Sequence, residues 1–213
     1  MTSKSVSVKQ LSRYPVYLKL FKQLKEQGVE DTSAPQIAKV LGFTEEQVRK
    51  DLQLVSTIDG KPRCGRKVIN LIDDIENFLG YRDSTLAVVV GVGHLGGALM
   101  AFRGFDEFGL DILAGFDPNP KLVGSTINGK PIFGIDKLEN LIPRLNVHIA
   151  ILVTPQDCAQ EMADELVRCG IKAIWNFVPM HINVPDGIIV ENENLASSLA
   201  VLSHKLKKKL GGK

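Results

Sequence analysis

One stretch, LAVVVGVGHLGGALMAF at residues 86–102, constrains this chain more than any other. An apolar run enters Gly91-x-Gly93-x-x-Gly96, and a helix-like segment leaves it. Each glycine has a physical task. Gly91 permits the tight turn, Gly93 lets the backbone approach a pyrophosphate, and Gly96 lets the helix pack close to the strand. Phosphates at such a loop face free N–H groups and the positive end of the helix dipole. Gly91, Val92, Gly93, His94, Leu95 and Gly96 are therefore candidate phosphate contacts.

A glycine motif alone is weak evidence, and its context decides. Residues 85–190 alternate strand and helix. TLAVVVG reads as a buried strand and HLGGALMAFRGF as the helix after it. LDILAGFD is a second strand, DKLENLIPRL a helix and VHIAILVTP a third strand. QDCAQEMADELVRCG is helical again, and IKAIWNFVP is a further strand. Such alternation implies a parallel sheet of the Rossmann type with right-handed crossovers. The second strand ends at Asp117, about 20 residues past the glycines, where an acid holds the ribose 2′-hydroxyl of a dinucleotide. That acid favours NAD(H) over NADP, with Lys121 close by in sequence. Thr154 and Pro155 follow the third strand, at the edge where a ligand lies. Thr154 reads equally as a ligand contact or a plain strand-end cap.

About eighty residues precede the loop, and they read differently. They hold a small excess of cations in a chain whose net charge is only +2, so any nucleic-acid signal is local. LSRYPVYLKLFKQLKEQG is a helix with apolar residues at Val16, Leu18, Leu20, Phe21 and Leu24, with Pro15 in its first turn and Gly28 as its stop. In SAPQIAKVLGFTEEQVRKDLQLV, Ser33 with Gln36 and Thr44 with Gln47 fit two capping boxes. Gly42 ends the first of these helices. Ile37, Ala38, Val40 and Leu41 are expected in the core, and Val48, Leu52 and Val55 form an apolar stripe on the second helix. This is helix-turn-helix grammar. It turns Gln47, Arg49, Lys50 and Gln53 outward, residue types that contact bases and phosphates. STIDGKPRCGRKV then predicts a β-hairpin wing carrying Lys61, Arg63, Arg66 and Lys67.

The expected domains are a winged helix-turn-helix DNA-binding domain over 1–80, an NAD(H)-binding domain over 85–190, and a dimerisation helix with a basic tail over 191–213. The terminal helix, 195–206, carries Leu195, Leu199, Leu202 and Leu206 at helical spacing, a stripe that fits packing on a second subunit. No apolar run approaches the roughly 18 residues that span a bilayer, and the first fifteen residues have no signal-peptide core. A cytoplasmic protein is expected, with no membrane partner. Cys64, Cys158 and Cys169 are too few and scattered for a disulfide framework or a metal site. After the sheet too little chain remains for a substrate domain, and none of His94, His148, His181 and His204 has an evident acid partner, so no enzyme and no catalytic residue is expected.

The order winged helix, NAD site and terminal helix resembles the Rex family of redox-sensing transcriptional repressors. SRYPVYLKLFKQL, SAPQIAKVLGFTEEQVRKDL, GVGHLGGAL, GFDPNPKLVG, LVTP, WNFVP and VENENLASSLAVLSH carry the resemblance over almost the whole chain. It implies a homodimer with a swapped C-terminal helix, NADH binding that releases double-stranded DNA, and NAD⁺ that permits repression. The nucleotide site would then be a sensor. The chain departs from the family pattern after RKDL, where Gln53-Leu54-Val55-Ser56 replaces the usual Ser-Tyr-Phe-Gly. It also departs at Phe102, where many members have Tyr, and at Asn194 and Leu195, where an Asp and an aromatic are common. In the family those groups work with an N-terminal Arg, here Arg13, at the interdomain and dimer contacts. Alternatives are an NAD(H)-binding interaction protein without operator recognition that forms a heteromer with a related repressor, a CoA-binding module, or a small oxidoreductase.

Overall fold

The computed structural model describes residues 6–56, 65–81 and 85–211. The chain divides into two compact units, Met1–Asp83 and Ser84–Lys213.

In the first unit, α1 (Val8–Leu11) leads into α2 (Tyr14–Glu26), with Pro15 in the first turn of α2. A short strand β1 (Asp31–Thr32) precedes α3 (Ala34–Leu41) and α4 (Glu45–Val55). Gln36 Oε1 accepts from the backbone N–H of Ser33 at 2.9 Å, holding the start of α3. Gly42 at φ 70° ends α3, a left-handed turn that suits glycine. Thr44 Oγ1 then accepts from Gln47 N at 3.3 Å and starts α4. Strand β2 (Arg66–Lys67) pairs antiparallel with β1, and α5 (Val68–Leu79) closes the unit. Ile37, Ala38, Val48, Leu52, Val55, Val68, Leu71 and Ile75 pack with Tyr14, Tyr17, Leu18 and Phe21 of α2 in one core.

Val40 does not join that core and is 65% exposed. The buried α3 stripe is centred between Ile37 and Ala38, and at about 100° per residue Val40 lies about 110° round the helix from that centre. The expected wing falls largely on residues outside those described, including Lys61, Arg63 and Cys64. What is seen is its closing strand β2, held to β1.

The second unit is a seven-stranded sheet in the order β5-β6-β4-β3-β7-β8-β9. Its first strand is β3 (Thr85–Val90), followed by α6 (His94–Ala101). The helix expected to run through HLGGALMAFRGF stops at Ala101, and a 3-10 segment, Arg103–Phe108, takes over. Strand β4 (Leu110–Phe116) lies parallel to β3. A short hairpin, β5 (Thr126–Ile127) and β6 (Lys130–Phe133), extends that edge, with β5 antiparallel to β6. The chain then passes through a 3-10 turn, Ile135–Lys137, into α7 (Leu138–Leu145) and crosses to β7 (Ile149–Leu152) on the other side of β3. Helix α8 (Gln156–Arg168), β8 (Ala173–Asn176) and β9 (Ile189–Asn192) follow, and α9 (Leu195–Lys209) ends the described chain.

The β5–β6 hairpin and β9 were not legible in the sequence. β9 pairs in parallel with β8 from Ala173–Ile189 to Asn176–Asn192, so the sheet runs across the boundary expected at 190/191. The core strands β3, β4 and β7 are buried almost throughout, with Val88, Val89, Val90, Ile112, Phe116, Ile151 and Leu152 inside. Continuous apolar strands of this kind need cover on both faces. Among the described residues no helix is long and apolar enough to cross a membrane.

Candidate nucleotide site and nucleic-acid interface

In a parallel sheet a ligand lies outside the strands' carboxyl ends, where the chain order reverses. Here that point is between β3 and β7. The glycine loop sits there, and three backbone hydrogen bonds brace the mouth. Val153 N donates to Val90 O at 2.8 Å, Gly91 N to Phe116 O at 2.9 Å, and Asp117 N to Phe133 O at 3.0 Å.

The three glycines occupy three different surroundings. Gly91 has φ 92°, and a Cβ there would stand 2.6 Å from Val153 O. A Cβ on Gly96 would overlap the carbonyl oxygen of Gly91, so only glycine lets α6 come this close to the loop. Gly93 has ordinary backbone angles, and a Cβ on it would meet nothing within 4 Å. Gly93 is also the N-cap of α6 and offers no side chain to the first-turn N–H groups. His94 and Leu95 follow it at the surface.

Asp117 stands across from this loop and is 8% exposed. Its Oδ2 accepts from Val92 N at 2.7 Å and its Oδ1 from Asn119 N at 2.8 Å. The carboxylate thus ties the end of β4 to the glycine loop while each oxygen keeps capacity for one more donor. Beside it is a cavity of about 370 Å³ lined by Asp117, Pro118, Pro120, Val123, Gly134, Ile135 and Asp136. Its mostly apolar walls, with the carboxylates of Asp117 and Asp136 among them, have the dimensions and character of a slot for a flat ring. This slot was missed in the sequence because half of it comes from the segment after the unforeseen β6. Lys121 is exposed, and its backbone N–H donates to Asn119 Oδ1 at 3.0 Å. On the β7 side, Thr154 Oγ1 is buried with no hydrogen-bond partner. A buried hydroxyl without a partner is costly, and here it lies beside Gly91. The open space at Gly93, the bare first turn of α6, the paired carboxylate and this hydroxyl all fit a dinucleotide.

In the first unit, Arg49, Lys50 and Gln53 are on the exposed face of α4, as their spacing predicts, while Gln47 is half-buried. Arg49 is paired with Glu45 at 3.1 Å and Lys50 with Glu46 at 2.7 Å, each one turn back. Glu46 raises the Lys50 ammonium, chiefly through that hydrogen bond. Exposed pairs of this kind are weak in water, so both cations can exchange a carboxylate for a phosphate. Lys67 is exposed on β2 and Arg66 half-buried.

The largest omission from the sequence reading is Asp51. It is 1% exposed, on the inner face of α4 between Val48 and Leu52. Arg13 Nε donates to Asp51 Oδ2 at 2.6 Å and Nη2 to Oδ1 at 2.7 Å. Gln10 Nε2 donates to Oδ1 at 3.0 Å, Tyr17 OH to Oδ2 at 2.9 Å, and Tyr14 OH to the Asp51 carbonyl at 3.0 Å. A carboxylate within an apolar helical stripe was the available signal. The hydrogen bonds to Asp51 raise Arg13 above its ordinary value, and burial raises both tyrosines, Tyr14 to about 12.

The positions implicated in the family's switch are each occupied within their own unit. Arg13 is held by Asp51. Asn194 Oδ1 accepts from Ser197 N at 3.0 Å and caps α9, which begins at Leu195. Phe102 is exposed, with its ring edge-on to Phe105 at 4.9 Å between centroids. Phe105 continues to Trp175 and Trp175 to Phe177, and Trp175 Nε1 donates to Glu193 at 3.1 Å.

A helix-turn-helix unit joined to a glycine-loop sheet defines a class, regulators that carry their own ligand-sensing domain. Two family models match, "Putative DNA-binding protein N-terminus" over residues 5–53 and "CoA binding domain" over residues 82–180. The chain is 44% identical to the redox-sensing transcriptional repressor Rex of Bacteroides fragilis, covering 92% of this chain and 89% of that one. It is also 44% identical to Rex of Treponema denticola, over 89% of this chain and 90% of the relative. The crystal structure of RSP in complex with beta-NAD+ and operator DNA superposes with a TM-score of 0.89 at 34% identity, over 99% of each chain. RSP, a Rex-family repressor, has also been solved with beta-NADH, and that structure superposes with a TM-score of 0.85 at 33% identity, over 97% of each chain. The chain belongs to the Rex family of redox-sensing transcriptional repressors.

Proposed function

We propose that this chain is an NAD(H)-responsive DNA-binding repressor that senses the NADH/NAD⁺ ratio, NADH lowering its affinity for DNA. The observation that carries the reading is the Asp117 carboxylate, tied to Val92 at 2.7 Å, between the glycine loop and a cavity of ring dimensions. Gly91, Val92, Gly93, His94, Leu95 and Gly96 hold the pyrophosphate against the first turn of α6. Asp117 takes the adenosine ribose diol, with Lys121 at the rim and Thr154-Pro155 on the far side. The DNA face is α4 with Gln47, Arg49, Lys50 and Gln53, joined by Lys61, Arg63, Arg66 and Lys67. The acting form is a cytoplasmic homodimer built through α9, and no catalytic residue is assigned.

The match to a CoA-binding family model supports a second reading, CoA in the same loop. CoA carries a 3′-phosphate on its adenosine ribose, and a buried carboxylate at that ribose repels it. Asp117 therefore favours the dinucleotide.

The test is selection from random duplex DNA at fixed moderate salt, without ligand, with NAD⁺ and with NADH. Recovery of a palindrome that NADH releases is the expected result. Tighter binding of CoA than of NADH establishes the second reading. Equal binding to every sequence, or to none, overturns operator recognition.

A further inference from the structure

The outermost residue of α4 is an acid. The helix buries Val48, Asp51, Leu52 and Val55. At about 100° per residue, Glu46 lies within about 10° of the line opposite the centre of those four, and Lys50 and Gln53 lie about 30° to either side of it. The Glu46 side chain is 75% exposed, and its Oε1 accepts from Lys50 Nζ at 2.7 Å. Lys50 holds the Glu46 carboxyl below its ordinary value, chiefly through that hydrogen bond. Glu46 is therefore a carboxylate that only accepts. Glu45 shares the first turn and the same kind of pairing, with Arg49 at 3.1 Å. The helix dipole favours both acids in the free protein, yet Glu45 lies about 110° round the helix from the outward line. Of the two, Glu46 alone faces straight out.

In a helix-turn-helix unit the first residues of the second helix meet base edges, and a carboxylate there needs a donor. We infer that Glu46 reads a cytosine, accepting from its exocyclic amine. The major groove offers two amine donors, cytosine N4 and adenine N6. Beside N6, adenine carries the N7 acceptor, which repels a carboxylate, whereas cytosine has no acceptor on that side. Guanine and thymine present only acceptors.

Lys50 completes the match. An ammonium has three donors, so Lys50 keeps Glu46 and donates to guanine O6 of the same pair. The side-chain donor and acceptor are 2.7 Å apart. They face an acceptor and a donor about 2.9 Å apart, the length of the N–H···O bond that joins guanine O6 to cytosine N4. With the base pair reversed, the carboxylate meets guanine O6 and is left desolvated against an acceptor. The inference rests on the DNA face proposed above and names the base at one position.

The experiment uses full-length protein: wild type, Glu46→Ala, Glu46→Gln and, as a control off the outward line, Glu45→Gln. Selection from random duplexes at fixed moderate salt with NAD⁺ comes first. Wild type is expected to prefer cytosine at one position of each half-site. Glu46→Ala loses that preference by about tenfold, Glu46→Gln relaxes it, and Glu45→Gln keeps it. The selected duplex is then made with a pyrimidinone base, which lacks the amine, in place of that cytosine. The replacement weakens wild type by about tenfold and leaves Glu46→Ala nearly unchanged. An equal loss in both overturns the inference, because the amine and the carboxylate are then uncoupled. So does a preference that survives both Glu46 substitutions, or a Glu46-dependent preference for any other base. Tighter binding of Glu46→Ala to every sequence alike also overturns it, since Glu46 then only repels phosphates. Wild type that selects no sequence ends the proposed function as well, whereas a selected palindrome indifferent to Glu46 ends this inference alone.

Discussion

Asp117 Oδ2 accepts from the backbone N–H of Val92 at 2.7 Å, so the residue assigned to the ribose also fastens the glycine loop. Substitution therefore has two effects. Asp117→Ala removes a charged acceptor from Val92 and Asn119, and from the ribose when ligand is bound. Each hydrogen bond to a charged group contributes about 1.5–3 kcal/mol, so NADH affinity falls by ten- to a hundredfold or more. Thermal stability without ligand falls as well. Titration calorimetry with a parallel melting curve separates the two effects. An unchanged NADH affinity removes Asp117 from the site.

Gly93 and Gly96 separate ligand binding from folding. A methyl group at Gly93 meets no neighbour within 4 Å, and the backbone there suits any residue. Gly93→Ala keeps the melting temperature and loses NAD(H) affinity, because the methyl occupies the space of the pyrophosphate. At Gly96 the same methyl overlaps the Gly91 carbonyl. Gly96→Ala moves α6 off the loop, lowering stability and affinity together. If Gly93→Ala binds NADH as wild type does, the phosphates do not approach there.

The sequence disclosed what repeats or obeys a local rule. The glycines, the buried strands and Asp117 announce themselves because a parallel strand is apolar throughout and a turn needs glycine. Thr44 and Gly42 mark helix ends for equally local reasons. β9 escaped notice because its residues Ile189–Asn192 are exposed or half-buried at the sheet's edge, without an apolar run. The β5–β6 hairpin is too short for periodicity, and with it went Gly134 and Ile135 of the ring-sized cavity. Asp51 was hidden in another way. Its partners Gln10, Arg13, Tyr14 and Tyr17 are about forty residues upstream, and a contact of that separation leaves only one trace, a carboxylate in an apolar stripe.

Asp51 is the joint between α1, α2 and α4. Removing one partner of a buried ion pair costs about 3–5 kcal/mol, since the other charge is left without compensation. Asp51→Ala strands Arg13, Gln10 and Tyr17 together, and Arg13→Ala strands a carboxylate that is 1% exposed. A double-mutant cycle in denaturant measures the coupling, and it is expected to exceed 1 kcal/mol. Strict additivity of the two single variants would mean that the pair contributes nothing.

The tyrosines give this joint a pH signature. Burial raises all three of the chain's tyrosines, Tyr14, Tyr17 and Tyr81. A phenol raised by folding stabilises the native state in full below its ordinary value of 10.0 and loses that contribution as pH rises through the folded value. For Tyr14 the window is from 10.0 to about 12. Phenolate absorbance should rise late and together with unfolding, and Tyr14→Phe should shift the alkaline unfolding midpoint upward. Phenolate appearing at its ordinary pH in folded protein contradicts the burial.

Leu199, Leu202 and Leu206 are exposed along one side of α9, with Val201 and Leu210 exposed on the same helix and its end. A helix with so many bare apolar residues needs a cover, and the proposed cover is a second copy of the chain. Its last turn carries Lys207, Lys208 and Lys209, cations that suit a helix C-terminus and keep that end in water. Truncation after Asn194 should give a monomer by sedimentation, as should Leu199→Glu combined with Leu202→Glu. Both should still bind NADH at the glycine loop of the seven-stranded sheet while losing affinity for a palindromic duplex, since one half-site is then read at a time. A truncated chain that stays dimeric assigns the dimer to another surface.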